Sequence, residues 1–224
     1  MGFLESVEAG FRISGATRYS RSMYQIAIAN DKGGVGKTTS AIAIASLLAS
    51  RGRTLLVDAD EKTASAVEWA AAGPGLPCEV ISIEQMGQMD LSTFAYVVLD
   101  TKAGEDSAEL LSLAQAVDLL IVPTKPDGVS MRALPKTLAP LIREGITNYR
   151  VLITDVPAAP SVEGHDAREA LMDLDVPVFA QSVRRASAFS KAALQGVEVR
   201  SVKGDSRAKL AHRDYELVVK EILR

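Results

Sequence analysis

The stretch "QIAIANDKGGVGKTTSAIAIA", residues 25–45, constrains the fold more than any other part of the chain. An apolar run, a glycine-rich loop and a helical segment rich in Ala and Ile follow one another directly. Glycines tolerate the backbone conformations that a tight loop needs, and the N–H groups at a helix start bind phosphate oxygens. This order predicts a strand, a phosphate-binding loop and a helix that begins near Lys37.

The loop departs from the pattern G-x-x-x-x-G-K-[ST], because Asp31 stands where the first glycine belongs and a second lysine, Lys32, follows it. We expect Lys37 to contact the terminal phosphates of a nucleotide and the Thr38 hydroxyl to bind Mg²⁺. One lysine is enough to hold the phosphates, so Lys32 needs another explanation. The predicted nucleotide-binding residues are Gly33, Gly34, Val35, Gly36, Lys37, Thr38 and Thr39.

Apolar strand-like segments and helical segments alternate through the rest of the chain. Continuous Val/Ile/Leu runs without polar alternation indicate strands that are covered on both faces. We therefore expect a doubly wound, mostly parallel α/β sheet with helices on both faces, as one domain over residues 23–224 after a flexible extension, residues 1–22. The expected strands after the first are "TLLVDAD", "CEVIS", "YVVLD", "DLLIVP", "YRVLIT" and "VPVFAQ", and the expected helices include 38–50, 64–72, 107–116 and 129–144.

Three carboxylates stand at predicted strand ends. Asp58 and Asp60 close "LLVDAD", and Asp100 closes "YVVLD". Like charges so close together repel, but beside a magnesium nucleotide one can hold a metal-bound water and another can orient the attacking water. A strand that delivers a single acid, as at Asp100, is typical of a Walker B site for Mg²⁺. For Asp58 and Asp60 an Asp turn with a helix cap is the structural alternative.

The chain has 224 residues and a formal net charge of −3, but its charges are unevenly distributed. From residue 184 to the end there are ten Lys/Arg and five Asp/Glu. This segment could bind a phosphate backbone, or it could be a solvated mixed-charge helix. The single cysteine, Cys78, excludes an internal disulfide framework and an iron–sulfur site. No apolar run approaches the roughly 20 residues of a membrane span.

From about Tyr24 onward the sequence resembles the ParA/MinD family of deviant Walker ATPases, through "KGGVGKTT", "LLVDAD" and "VVLDT". It looks most like the short ParA-type proteins that lack an N-terminal helix-turn-helix domain. The resemblance implies ATP and Mg²⁺ as cofactors and Lys32 as the lysine that reaches the partner's phosphates in an ATP-sandwiched homodimer. It implies that Lys37 serves its own nucleotide, that Asp60 positions the hydrolytic water and that Asp58 and Asp100 serve magnesium.

The chain departs from the family at two places. Glu61 follows Asp60 where proline is common, and "DTKAG" places Lys102 in a segment that usually responds to nucleotide. Lys102 is either a solvated charge or an added charge beside the γ-phosphate. These changes concern hydrolysis and switching rather than nucleotide binding.

The function implied by the resemblance is an ATPase with slow intrinsic turnover that distributes a plasmid, a chromosome or a protein compartment over the nucleoid. A ParB-like or adaptor partner would stimulate hydrolysis, and the protein would be cytoplasmic and nucleoid-associated. Non-specific DNA contacts would come from basic residues of the C-terminal part, with Arg184, Arg185 and Lys191 the best placed. The full set of candidates is Arg184, Arg185, Lys191, Arg200, Lys203, Arg207 and Lys209.

Two other functions stay open. A MinD-like membrane switch would need an amphipathic anchor, for which the C-terminal "LAHRDYELVVKEILR" is the candidate, although a helix packed on the domain gives the same pattern. Binding to a membrane is the less expected of these outcomes because the segment lacks a bulky aromatic face and a dense basic flank. A small-molecule ligase of the same fold is the other alternative.

Overall fold

A computed structural model describes residues 23–104 and 106–224. The expected N-terminal extension, residues 1–22, lies outside the described residues. Six strands form one sheet in the order β3-β2-β4-β1-β5-β6, and every pairing in it is parallel. The expectation of a doubly wound α/β fold is therefore confirmed, with a sheet that is wholly rather than mostly parallel.

The elements are numbered in chain order, and two short 3₁₀ turns lie at Leu91–Thr93 and Val199–Ser201. The strands are β1 Tyr24–Ile28, β2 Thr54–Asp58, β3 Glu79–Ser82, β4 Tyr96–Asp100, β5 Leu119–Thr124 and β6 Tyr149–Ile153. The helices are α1 Lys37–Leu48, α2 Ser65–Ala71, α3 Ile83–Met86, α4 Ser107–Ala116, α5 Gly128–Arg143, α6 Glu163–Asp173, α7 Ser187–Gln195 and α8 Ala208–Ile222.

Each face of the sheet carries its own apolar core. Alternate strand residues point to opposite faces, so Ala27 packs with α3 to α6, while Ile26 and Ile28 pack with α1, α2, α7 and α8. This burial on both sides explains why the strands read as unbroken apolar runs. The C-terminal ends of all six parallel strands meet at one edge, where the functional residues collect.

The expected strand "VPVFAQ" is only a bridge between Val178 and Val151. Val151 on β6 exchanges hydrogen bonds with Pro177 and Phe179, but the ladder stops there. The carboxylate of Glu221 on α8 accepts the backbone N–H groups of Ala180 and Gln181 at 2.9 and 2.8 Å. These amides are thereby withdrawn from pairing with β6, and the segment runs beside the sheet without joining it as a strand.

Candidate nucleotide site

The glycine-rich loop encloses the ammonium group of Lys37. Lys37 is 8% exposed, and its Nζ donates to the carbonyl oxygens of Asn30 and Lys32, both at 3.2 Å. Gly34 and Gly36 have φ angles of 71° and 87°, in the left-handed region that favours glycine. The loop therefore bends around a buried cation at the start of α1, an arrangement that suits the phosphates of a nucleotide.

Thr154, at the end of β6, fixes the far side of this loop. Its Oγ1 donates to the carbonyl oxygens of Val35 at 2.8 Å and Thr124 at 3.1 Å. Asn30 fixes the near side, because its Nδ2 donates to the Pro123 carbonyl at 2.6 Å. Sequence reasoning missed both residues, and the available signal was a polar side chain directly after an apolar strand.

Lys32 lies outside the loop and contacts helix α5. Its Nζ donates to Ser130 Oγ at 2.7 Å, and Ser130 Oγ donates to Asp127 Oδ2 at 2.7 Å. Asp127 caps α5 by accepting the N–H groups of Val129 and Ser130. The hydrogen bonds from Ser130 and the positive charge of Lys32 lower the pKa of Asp127. The two lysines thus occupy different places, one inside the loop and one on the α5 terminus.

Asp31, which replaces the expected glycine, joins the loop to two other segments. Its Oδ1 accepts a hydrogen bond from Thr137 Oγ1 on α5 at 2.9 Å. Its carbonyl oxygen accepts the N–H of Gly104, which follows β4, at 2.9 Å. The departure from the standard pattern is therefore a connection between the phosphate loop, α5 and the "DTKAG" segment.

Asp100 and Thr38 form the part of the site that fits Mg²⁺. The Thr38 side chain hydrogen-bonds the Asp100 carboxylate, whose Oδ1 is buried without a hydrogen-bond partner among the described residues. Burial, with the nearby charges of Asp58 and Asp60, raises the pKa of Asp100 to about 7 against the effects of Thr38 and Lys37. Such an orphaned acid oxygen beside a hydroxyl matches magnesium in nucleotide sites, which is held by one or two protein groups together with phosphates and water.

Asp58 and Asp60 make contacts that hold the chain between β2 and α2. Asp58 is 2% exposed and accepts backbone N–H groups from Asp60, Ala66 and Val67. Asp60 Oδ1 accepts the N–H groups of Lys62 and Thr63, both at 3.2 Å. Burial raises the pKa of Asp60, but these hydrogen bonds, the Thr63 side chain and Lys37 outweigh that effect and lower it overall. Both residues therefore have the turn and helix-start contacts of the structural alternative, at the edge where the phosphates would lie.

Among the described residues, no group of three or more His, Cys, Asp and Glu side chains is placed to hold a metal ion by itself. The three predicted magnesium residues differ in their contacts: the oxygens of Asp58 accept backbone N–H groups, whereas Thr38 and Asp100 pair with each other. Glu61 is exposed. Lys102 forms an ion pair with Glu109 on α4 at 3.1 Å.

A cavity of about 270 Å³ lies beside the second half of the loop, at the ends of β5 and β6. Gly34 to Gly36, Thr39 and Thr154 line one side, and Lys125, Asp155 and Arg185 line the other. Because the loop's own N–H groups cradle the α- and β-phosphates, a space next to it is suited to the nucleoside. Sequence reasoning did not identify this wall of the site.

The C-terminal basic residues divide into two groups. Four of them form ion pairs: Arg184 with Asp214, Arg185 with Asp155, Lys191 with Asp205 and Arg200 with Glu198. The side chains of Lys203, Arg207 and Lys209 are exposed and have no such pair among the described residues. The three residues expected to be best placed for DNA are thus all in the paired group.

The apolar face of α8, the amphipathic segment considered as a membrane anchor, is buried in the domain. Tyr215, Val218 and Val219 belong to the core against α1, and the Tyr215 hydroxyl lies 2.8 Å from Ser40 Oγ. Within the part of the chain that the structure describes, no helix is long and apolar enough to cross a membrane.

A parallel α/β sheet whose first strand leads into a lysine-containing glycine loop, with an acid at the end of a neighbouring strand, defines a P-loop nucleotide-binding protein. Comparison with known proteins narrows this class. Residues 26–199 match the family described as the CobQ/CobB/MinD/ParA nucleotide binding domain. The chain belongs to this family, whose ParA and MinD proteins are ATPases.

The chain is 34% identical over 204 residues to the maintenance of carboxysome distribution protein A of Gloeobacter kilaueensis, covering 89% of this chain and 94% of the relative. A solved McdA of Cyanothece bound to ATP is 20% identical, with a TM-score of 0.67 and coverage of 90% and 96% of the two chains. The septum site-determining protein MinD of Pyrococcus horikoshii, complexed with Mg-ADP, has the same TM-score at 16% identity, with coverage of 90% and 96%. The two solved structures share the fold of this chain.

Proposed function

We propose that the chain is an ATPase that dimerises around ATP, binds DNA non-specifically in that state and positions a cargo over the nucleoid. The observation that carries this proposal is the separation of the two lysines. Lys37 is enclosed by its own phosphate loop, whereas the Lys32 ammonium lies outside that loop on the α5 terminus. A cation placed there is available to a second subunit's nucleotide once its contact with Ser130 breaks.

Magnesium would be held by Thr38 and Asp100, and it would neutralise charge on the nucleotide's phosphates. Asp60 stands at the same strand edge and is kept ionised by its lowered pKa. An ionised carboxylate there can accept a hydrogen bond from the attacking water and orient it. A slow intrinsic rate is expected if a partner completes the site, as trans-acting arginines do in other nucleotide hydrolases.

The cargo is proposed from the relatives. The similar protein of Gloeobacter kilaueensis is named for carboxysome distribution, which supports a protein compartment as cargo over a plasmid or a chromosome. A ParB-like or other adaptor protein on that cargo would stimulate hydrolysis and release the ATPase from DNA. The burial of the apolar face of α8 argues against a MinD-like use of that helix as an anchor.

For DNA contacts we propose Lys203, Arg207 and Lys209 ahead of Arg184, Arg185, Lys191 and Arg200. A cation already paired with a carboxylate must give up that partner to bind a phosphate, whereas an exposed unpaired lysine does not. The three lie together between the second 3₁₀ turn and the start of α8. Their contacts would be to phosphates and steeply salt-dependent.

The decisive experiment is Lys32→Ala, measured by light scattering for ATP-dependent dimerisation and by co-sedimentation with random-sequence DNA. We expect both to be lost while ADP binding is retained, because Lys37 still serves the protein's own nucleotide. Survival of both activities would contradict the proposed mechanism. Lys62→Ala, an exposed lysine after β2, is a matched control. Liposome co-sedimentation with ATP tests the membrane alternative, and turnover that depends on a small molecule but not on DNA would favour a ligase.

A further inference from the structure

Lys125, Asp155 and Arg185 form one ionic cluster at the mouth of the cavity beside the phosphate loop. Asp155 Oδ2 lies 3.2 Å from Lys125 Nζ, and Asp155 Oδ1 accepts Arg185 Nε at 2.9 Å. Arg185 Nη2 also reaches Asp155 Oδ2 at 3.2 Å. The three residues come from the ends of β5 and β6 and from the segment before α7, so a single carboxylate ties three separate segments around the cavity.

The cluster carries one excess positive charge and keeps hydrogen-bond donors available. An ammonium has three N–H donors and a guanidinium has five. Lys125 uses one of its donors on Asp155, and the Nη1 group of Arg185 makes no hydrogen bond to any described residue. Exposed ion pairs contribute little to folding stability, so stability alone gives these charges no reason to surround a cavity.

Arg184, the neighbouring basic residue, differs from Arg185 in this respect. Its Nε and Nη2 donate to the two carboxylate oxygens of Asp214 at 2.6 and 2.7 Å, and the Asp214 side chain is 3% exposed. That guanidinium is committed to α8. Arg185 is 61% exposed, and its carboxylate partner is shared with Lys125.

We propose that Lys125 and Arg185, held in place by Asp155, are nucleotide-binding residues that contact the nucleoside end of an adenine nucleotide, at its ribose oxygens and α-phosphate. This inference rests on the proposed function, since it requires that the loop bind ATP and ADP. It removes Arg185 from the DNA-binding surface and assigns it to the nucleotide. The nucleoside end is common to ATP and ADP, so the contribution of these residues is the same for both.

The test is titration calorimetry of Arg185→Gln and Lys125→Gln with unlabelled Mg-ADP, and with Mg-ATP in the Lys32→Ala background to avoid dimerisation. We expect each substitution to weaken binding of both nucleotides by the same factor, about three- to tenfold, as the loss of a charged hydrogen bond at a partly exposed site. Arg213→Gln is the matched control, because Arg213 is 55% exposed and pairs with Glu216 at 3.0 Å on α8, outside the cavity lining. Circular dichroism melts check that each variant is folded.

Affinities for ADP and ATP within twofold of the control would overturn the inference while leaving the proposed function intact. A loss confined to ATP would also overturn it, because that would place the two cations at the terminal phosphate. If Arg185→Gln lost DNA binding at saturating ATP, Arg185 would be a DNA contact after all. A wild-type protein that binds neither nucleotide would overturn the proposed function and this inference together.

Discussion

The Lys32 ammonium lies 2.7 Å from the Ser130 hydroxyl on helix α5 of its own chain. Asp127 supports this contact by accepting the Ser130 hydroxyl proton at 2.7 Å. In a dimer that uses Lys32 across the interface, this internal contact must break first. The internal contact and the contact to a second subunit therefore compete for one cation.

Ser130→Ala should strengthen ATP-dependent dimerisation. The substitution removes the internal acceptor of Lys32, and one net hydrogen bond corresponds to about a two- to tenfold shift in the dimer equilibrium. The measurement is the dimer dissociation constant by analytical ultracentrifugation with ATP. Ser50→Ala serves as the control, since that hydroxyl donates to the Leu47 carbonyl at 2.8 Å on the exposed end of α1. A weaker dimer in Ser130→Ala, with ATP affinity unchanged, would mean that Ser130 supports the dimer rather than opposing it.

Asp100→Asn should stabilise the nucleotide-free protein in EDTA at pH 8. The pKa of Asp100 is raised to about 7, above its ordinary value of 3.8. The folded state therefore binds the proton more tightly than the unfolded state, and the carboxyl group's contribution to stability falls as pH rises from about 4 to about 7. We expect the melting temperature to rise by about 2 to 4 °C for each kcal/mol recovered at pH 8, and by less at pH 5.

The same Asp100→Asn variant should lose the Mg²⁺ dependence of nucleotide binding, measured by calorimetry with and without the metal. An equal change of melting temperature at pH 5 and pH 8 would show that Asp100 titrates normally. Retention of the full Mg²⁺ effect would argue against Asp100 as a magnesium residue.

Thr154→Val should weaken nucleotide binding and lower stability. The change keeps the shape of the side chain but removes the hydroxyl that donates to Val35 and Thr124. Loss of a buried hydrogen bond costs about 1 to 3 kcal/mol in the free energy of unfolding. Urea unfolding and ADP calorimetry measure the two effects. Thr93→Val, at an exposed turn, is the control, and an unchanged ADP affinity in Thr154→Val would show that the loop does not need this anchor.

Arg184→Gln should destabilise the fold without a specific effect on DNA binding. Asp214 is 3% exposed on its side chain and would lose both hydrogen bonds from the guanidinium. We expect a loss of about 1 to 3 kcal/mol in the free energy of unfolding, because a buried carboxylate loses its partner. Asp214→Asn combined with Arg184→Gln should recover part of that loss, as a double-mutant cycle in urea measures. DNA co-sedimentation of the folded variant that falls as far as in Lys203→Gln would contradict this assignment.

Several features could be predicted from the sequence because their physical causes are local. A strand buried on both faces reads as an unbroken apolar run, and parallel strands place their C-terminal residues at one edge. Asp58, Asp60, Asp100 and the two lysines were therefore found at the same edge of the sheet. Even the failure of "VPVFAQ" as a strand has a specific cause, the Glu221 carboxylate that captures two of its amides.

The contacts of those residues were decided by the tertiary structure. Thr154 holds the carbonyl of Val35 across 119 residues of chain, and Arg184 meets Asp214 across 30. Such pairings depend on how α1, α5 and α8 pack on the sheet, and no local pattern records that packing. The sequence by itself determined a phosphate loop with a second lysine and a strongly basic C-terminal part. Only the packing decided that Lys32 rests on Ser130, and that Arg185 lies at the nucleotide cavity while Lys203, Arg207 and Lys209 stay exposed.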